Sequence, residues 1–189
     1  MRKVISLMHI SLDGFAASTT GELNWISYSE DIFTSVIESL SNVDTSIYGR
    51  STYEGMKSYW PTVPSNPNST EHELHHAEWV ENVNKIVFST TLEKANWNNT
   101  RLISSNLSEE VNKLKNQDGR NMMIFGSPRL VHSFLEHNLV DEFLLTISPV
   151  VLGAGIPLFK NIKQKLQLKL LKSKQYDNGV LAVHYAKAE

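Results

Sequence analysis

Two short stretches place a glycine and a cation where a strand runs into a helix. In "MMIFGSPRLVHSFL", residues 122 to 135, an apolar run meets Gly126, with Ser127 at a helix N-cap and Pro128 at the first helical position. A helix start offers free backbone N–H groups and a partial positive charge. Gly126 would let a diphosphate approach closely, and Arg129 adds a full charge. "SIYGRSTYEGM", residues 46 to 56, repeats the design with Gly49, Arg50, Ser51 and Thr52. An ordinary strand-to-helix turn would explain either stretch alone. Two in one parallel sheet can converge on one crevice at the carboxyl ends of the strands. Neither has the G-x-G-x-x-G spacing, and there is no G-x-x-x-x-G-K-[ST] loop. A third stretch, "KIVFSTT", ends a strand in Ser89, Thr90 and Thr91, whose hydroxyls could hold a phosphate or merely end the strand.

A different chemistry is spelled by His72, Glu73 and His76, which satisfy the H-E-x-x-H pattern of zinc hydrolases. A working site also needs a third ligand and a dry cleft. Here the motif opens a helix polar nearly all round, directly after a Pro/Asn-rich stretch, and no third-ligand motif follows. The expectation is no metal, with the zinc hydrolase kept as the lesser alternative.

The elements that must position these residues follow from hydrophobic periodicity and turn chemistry. Residues 2 to 10 read as a strand ended by "SLDG", and residues 15 to 28 as a loop. Ser29 caps a helix over about 30 to 41, with Ile32, Phe33, Val36, Ile37 and Leu40 at helical spacing. A strand over 44–48 feeds a helix from Arg50, "PTVPSNPNST" reads as a surface loop, and a helix spans 71 to 82. Strands at 85–89 and 101–104 precede a helix capped by Ser108 and running to about 117. The strand "NMMIFG" precedes a helix from Pro128 to about His137. The last third reads as strands at 142–151, 166–174 and 179–186, the last two joined by a hairpin at "YDNG". The pattern predicts one α/β domain over residues 1–189, with a mostly parallel central sheet and an antiparallel C-terminal hairpin.

Composition narrows the partners. The 189 residues are 41% hydrophobic and 20% charged, with net charge -2 and no cysteine. Nothing draws the whole chain toward nucleic acid or an anionic membrane, and disulfides, thiolate nucleophiles and cysteine metal sites are excluded. The interrupted apolar run after Arg2-Lys3 reads as a first strand rather than a signal peptide, and no stretch is long enough for a membrane span. A cytoplasmic protein acting on a small molecule is expected.

Taken in order, "SLDGFAA", "GELNW", "YGRSTYEGM", "IVFST", "IFGSPRLVHSFL" and "DEFLLTISPVVLGAGIPLF" resemble the dihydrofolate reductase family, most closely the branch shared with the reductase domain of riboflavin biosynthesis. The resemblance covers nearly the whole chain and implies a three-layer α/β/α fold. It implies NADPH as cofactor, with Gly49, Arg50, Ser51 and Thr52 on one side of its phosphates and Gly126, Ser127, Pro128 and Arg129 on the other. Ser89 and Thr90 would hold the 2′-phosphate together with Arg50. It implies hydride transfer to a pterin- or aminopyrimidine-like ring, with Glu30 at the spacing of the substrate-facing carboxylate, Asp31 beside it, and Thr146 at the position that supports it. Asp13 would be a polar contact near the nicotinamide. Acidic residues in a first helical turn also simply favour the helix dipole. Two departures stand out. The arginine that anchors a folate glutamate is replaced by Glu81-Asn82-Val83-Asn84, and no zinc-binding deaminase is present. A protein that keeps the fold and binds nucleotides without turnover is the alternative. The branch, and the long apolar run "FLLTISPVVLGAGIPLF", suggest a homodimer.

Overall fold

The computed structural model describes residues 1–188. β1 (Val4–Ser11) and β2 (Phe15–Ala17) lead to α1 (Glu30–Ser39). β3 (Val43–Gly49), α2 (Arg50–Tyr59), α3 (Glu71–Asn82), β4 (Asn84–Phe88) and β5 (Thr100–Ile103) follow. Then come α4 (Leu107–Lys115), β6 (Asn121–Phe125), α5 (Pro128–Glu136), β7 (Glu142–Ser148), β8 (Ile156–Pro157), β9 (Leu168–Gln175) and β10 (Leu181–Lys187). Eight strands form one sheet in the order β5-β4-β3-β6-β1-β7-β10-β9, and β2 pairs with β8 in a small second sheet. The pairings from β5 across to β7 are all parallel. β10 runs antiparallel to both β7 and β9.

The mostly apolar β1, β4 and β6, and the buried Val43, Ile47 and Tyr48 of β3, are what a sheet covered on both faces requires. Val4, Met8 and Ile10 of β1 face one core with Val111 and Leu114 of α4 and Leu130, Val131 and Phe134 of α5. Ile5 and Leu7 face the other, with Tyr53 of α2 and Val80 of α3, against which Val36 of α1 packs. This alternation makes the three layers.

Several boundaries differ from the expectation. The loop after β1 contains β2. Residues Trp60–Ser65 form a 3-10 helix because Val63 buries its side chain there, so only the second half of "PTVPSNPNST" is loop. Asn106, in the left-handed region at φ 54°, takes the N-cap position of α4 in place of Ser108, without a side-chain capping bond. In the hairpin, the Gly179 N–H bonds to the Tyr176 carbonyl at 2.9 Å, and Gly179, at φ +83°, is the left-handed residue that closes a three-residue loop.

Candidate active-site cleft

A cleft of about 1160 Å³ opens at the carboxyl ends of the parallel strands. Its walls include Met8 and His9 from β1, Gly49 at the end of β3, Phe88 to Thr91 from the end of β4, Ile103 to Leu107 from the end of β5, and Gly126 to Leu130 after β6. Because β3 and β6 are neighbours, the two glycine junctions are brought together. The Gly49 N–H donates to Ser127 Oγ at 3.0 Å, and that hydroxyl donates to the Phe125 carbonyl at 3.0 Å. Ser127 occupies the N-cap position of α5 at φ 56°, but its side chain makes no cap hydrogen bond. The expected N-cap hydroxyl serves as a clip between two strand ends. Gly126, at φ +50°, turns the chain beside Thr52 of α2.

The helix starts fall into two classes. α1 is capped by Ser29, whose Oγ accepts from the Ile32 N–H at 3.4 Å, and α3 by a capping box between Thr70 and Glu73. α2, α4 and α5 have no side-chain cap, and all three open on the cleft. Uncapped backbone donors at a helix start are ready for an anion or another acceptor. The first turns of α2 and α5 carry no acidic residue, whereas Glu109 and Glu110 sit in that of α4. The helix starts suited to an anion are therefore those of α2 and α5. Arg50 and Arg129 add charge, and among the lining residues there is no aspartate or glutamate.

Each cofactor candidate lines this cleft: Gly49, Arg50, Ser51, Thr52, Ser89, Thr90, Gly126, Ser127, Pro128 and Arg129. Arg50 donates through Nη1 to Thr91 Oγ1 at 3.1 Å and lies 3.9 Å from Glu54. Ser89 Oγ accepts from the N–H groups of Thr91 and Leu92, which fixes the turn after β4. Ser104 to Leu107, at the start of α4, were not anticipated. The Ser/Asn-rich run after β5 was their one signal in the sequence.

The candidate ring-binding residues are placed differently. Glu30 and Asp31 do not line the cleft. The buried residue of α1 is Ile32, which turns its first residues outward. The Glu30 side chain is 77% exposed and lies 3.5 Å from His72 Nε2. Asp13 is exposed and holds a turn. It accepts from Ser11 Oγ at 2.6 Å and from the N–H groups of Leu152 and Gly153 at 3.2 and 2.8 Å. Those hydrogen bonds, the Ser11 one foremost, lower its carboxyl below the usual range. It steadies β2 and β8, whose Ala16, Ala17 and Ile156 form a cleft wall. Gly155 supports the same wall, since a Cβ there would lie 2.2 Å from the Ala17 carbonyl oxygen. Thr146, buried on β7, hydrogen-bonds through Oγ1 to Nδ1 of His9. His9, which sequence reasoning did not single out, lines the cleft; a lone histidine within an apolar strand carries no motif. Burial lowers its imidazole to about 4.

The H-E-x-x-H stretch lies on α3, apart from the cleft. The Glu73 carboxylate accepts from the Thr70 N–H at 2.8 Å in the capping box. His76 is buried among Phe33, Trp60 and Trp79, with ring centroids 5.6, 4.4 and 5.8 Å away. The helix is therefore not polar all round, because Phe33 of α1 and Trp60 of the 3-10 segment, with Trp79 of α3 itself, give His76 an interior. Among the described residues, no group of three or more His, Cys, Asp or Glu is placed to hold a metal. No helix there is long and apolar enough to cross a membrane.

Comparisons with known proteins agree with the architecture. The family model of the RibD C-terminal domain matches residues 2–182. The uncharacterized protein YyaP of Bacillus subtilis (strain 168) is 37% identical over 186 residues, 97% of this chain and 94% of the relative. The crystal structure of a putative riboflavin biosynthesis protein from Shewanella sp. PV-4 superposes with TM-score 0.76 at 22% identity, covering 99% of both chains. Dihydrofolate reductase from Enterococcus faecalis, complexed with NADP(H), superposes with TM-score 0.62 at 12% identity over 99% of this chain and 97% of that one.

Proposed function

Because the chain belongs to the RibD C-terminal domain family, we propose that it is an NADPH-dependent reductase, transferring a hydride to a small heterocycle of the pyrimidine or pterin type. The observation that carries this reading is the pairing of two uncapped, acid-free helix starts with Arg50 and Arg129 around a cleft lined by no carboxylate. That donor set suits a dinucleotide phosphate. The neighbouring reductase structure that carries NADP(H) supports the same cofactor.

When bound, NADPH supplies the hydride, which is the hard chemistry. The chain does the rest. The starts of α2 and α5 hold the diphosphate from two sides, with the Ser127 clip fixing their separation. Arg50, Ser89 and Thr90 hold the 2′-phosphate. Met8, Ala16, Ala17 and Ile156 give an apolar wall that keeps water from the reacting face. Folate with its glutamate tail fits poorly. Lys85, the cation beside the stretch that lacks the arginine, is wholly buried and donates to the carbonyls of Glu81, Val83 and Asn98. The functional unit is the single α/β domain, and two copies associate.

The test is Arg50→Ala, with NADPH and NADH titrated at fixed salt because phosphate contacts are screened. A charged hydrogen bond contributes roughly 1.5–3 kcal/mol, about ten- to a hundredfold in affinity. NADPH should weaken by about that factor and NADH hardly change. Equal loss for both would remove Arg50 from the phosphate site. NADPH bound but never consumed, against a panel of pyrimidines and pterins, would leave a nucleotide-binding protein without turnover.

A further inference from the structure

The cleft raises the question of what meets the substrate ring. The carboxylates at the start of α1 are turned away, and none lines the cleft. His9 and Thr146 are register partners on adjacent parallel strands, β1 and β7, so their side chains share one face of the sheet. That is the face of Ile5 and Leu7, the side on which α1 to α3 pack. His9 Nδ1 is taken up by Thr146 Oγ1. The imidazole and the Tyr28 ring meet in a T-shaped contact, with centroids 5.3 Å apart. Its Nε2 has no hydrogen-bond partner among the described residues, yet it is not one of the polar atoms sealed from solvent. An imidazole with one nitrogen clamped and the other open, in a residue lining the cleft, is arranged to receive a polar group.

We propose that His9 is the residue that meets the substrate ring, as an uncharged hydrogen-bond partner held by Thr146, and that the cleft therefore selects a ring with a neutral amide-type edge over one with an amidine edge. This rests on the reductase reading above. The physical reason is the complementarity of donors and acceptors. A neutral imidazole whose Nδ1 accepts from Thr146 presents an N–H at Nε2, which suits a ring carbonyl. The other tautomer presents a lone pair at Nε2, which suits a ring N–H. An amide edge carries both groups side by side, so either tautomer is served. A protonated amidine edge offers only donors and a positive charge, and a carboxylate is its natural partner. Burial alone, with no charged group contributing, keeps His9 neutral at pH 7.

The experiment uses 5,6-diaminouracil as the amide-edged probe and 2,4-diaminopyrimidine as the amidine-edged one. Each is titrated at pH 7 into the whole protein, with and without NADPH. Wild type should bind the uracil more tightly. His9→Asp should reverse the preference, by about tenfold or more, because it places a carboxylate where the imidazole stood. His9→Gln, which keeps a neutral donor and acceptor, should keep the wild-type order, and His9→Leu should abolish it. Thr146→Val should weaken the uracil several-fold. NADPH should still bind all four variants, which shows that they fold. A wild-type preference for the diaminopyrimidine, or equal preference in wild type, His9→Leu and His9→Asp, would overturn the assignment of His9. Failure of NADPH to bind wild type would instead strike the reductase reading, and the titrations without NADPH keep the two failures apart.

Discussion

His76 shows how one side chain can carry a false motif and a real physical consequence. Its ring sits in an aromatic cage with Nδ1 sealed and unpartnered. Burial, and secondarily the neighbouring His75, lower its imidazole from 6.5 to about 4. Between those values the unfolded chain takes up a proton that the folded one refuses. The neutral ring's contribution is thus fully present above pH 6.5 and is lost as pH falls toward 4. A gap of that size corresponds to about 3 kcal/mol. His76→Phe should keep the aromatic packing, remove the sealed nitrogen, and be at least as stable as wild type at pH 7. At pH 4.5 it should exceed wild type by about 2–3 kcal/mol in urea denaturation. His9, shifted in the same direction, remains in both proteins and cancels in the comparison. Parallel stability curves for the two proteins would show that His76 titrates normally.

At the scale of elements, the cleft is built by a contrast between helix starts. Ser29 and Thr70 close the donors of α1 and α3, while α2, α4 and α5 leave theirs open toward the cleft. Ser127 is the element-level clip, since its hydroxyl both accepts from Gly49 and donates to Phe125. Ser127→Ala would strand a buried carbonyl and the Gly49 donor. The expected loss is about 1–2 kcal/mol of folding stability. It should also weaken NADPH by about fivefold, because the two helix starts would no longer be held in register. Chemical denaturation and cofactor titration check both. Undiminished NADPH affinity would show that the helix starts are positioned by the sheet alone.

At the scale of the whole molecule, some large apolar side chains remain exposed. The strand part of "FLLTISPVVLGAGIPLF" is satisfied within the chain, since Phe143 and Leu145 are buried in the core. Val151 and Phe159 are exposed, as are Leu170, Leu171 and Leu181 on the C-terminal hairpin. β9 is also the open edge of the sheet, with Lys169, Lys172 and Lys174 along it, charges that discourage indiscriminate strand pairing. A homodimer that covers the exposed side chains is the expected state, and light scattering at micromolar concentration should return twice the chain mass. Substituting Leu170 and Leu171 together by Lys should yield a monomer. A monomeric mass for wild type would leave those leucines as plain surface.

What the sequence determined by itself was whatever is local. Apolar runs flanked by glycine and proline fixed most strands and helices, because pleat and helix periods are written in neighbouring residues. The "YGRSTYEGM" and "IFGSPRL" junctions could be read as phosphate-binding turns, because cap chemistry and glycine's freedom act within a few residues. Local rules failed where a contact from far along the chain decides. Ser127 has the residue type of a cap but is recruited by Gly49 across the sheet. Glu30 and Asp31 sit at a suggestive spacing, yet the burial of Ile32 turns them outward. His9 is silent in sequence, and becomes chemically placed when β1 and β7 align it with Thr146, a residue 137 positions away. His76 is buried because Phe33, Trp60 and Trp79 converge on it. Side-chain direction, burial and partner are properties of packing between distant segments, and the tertiary structure alone decides them.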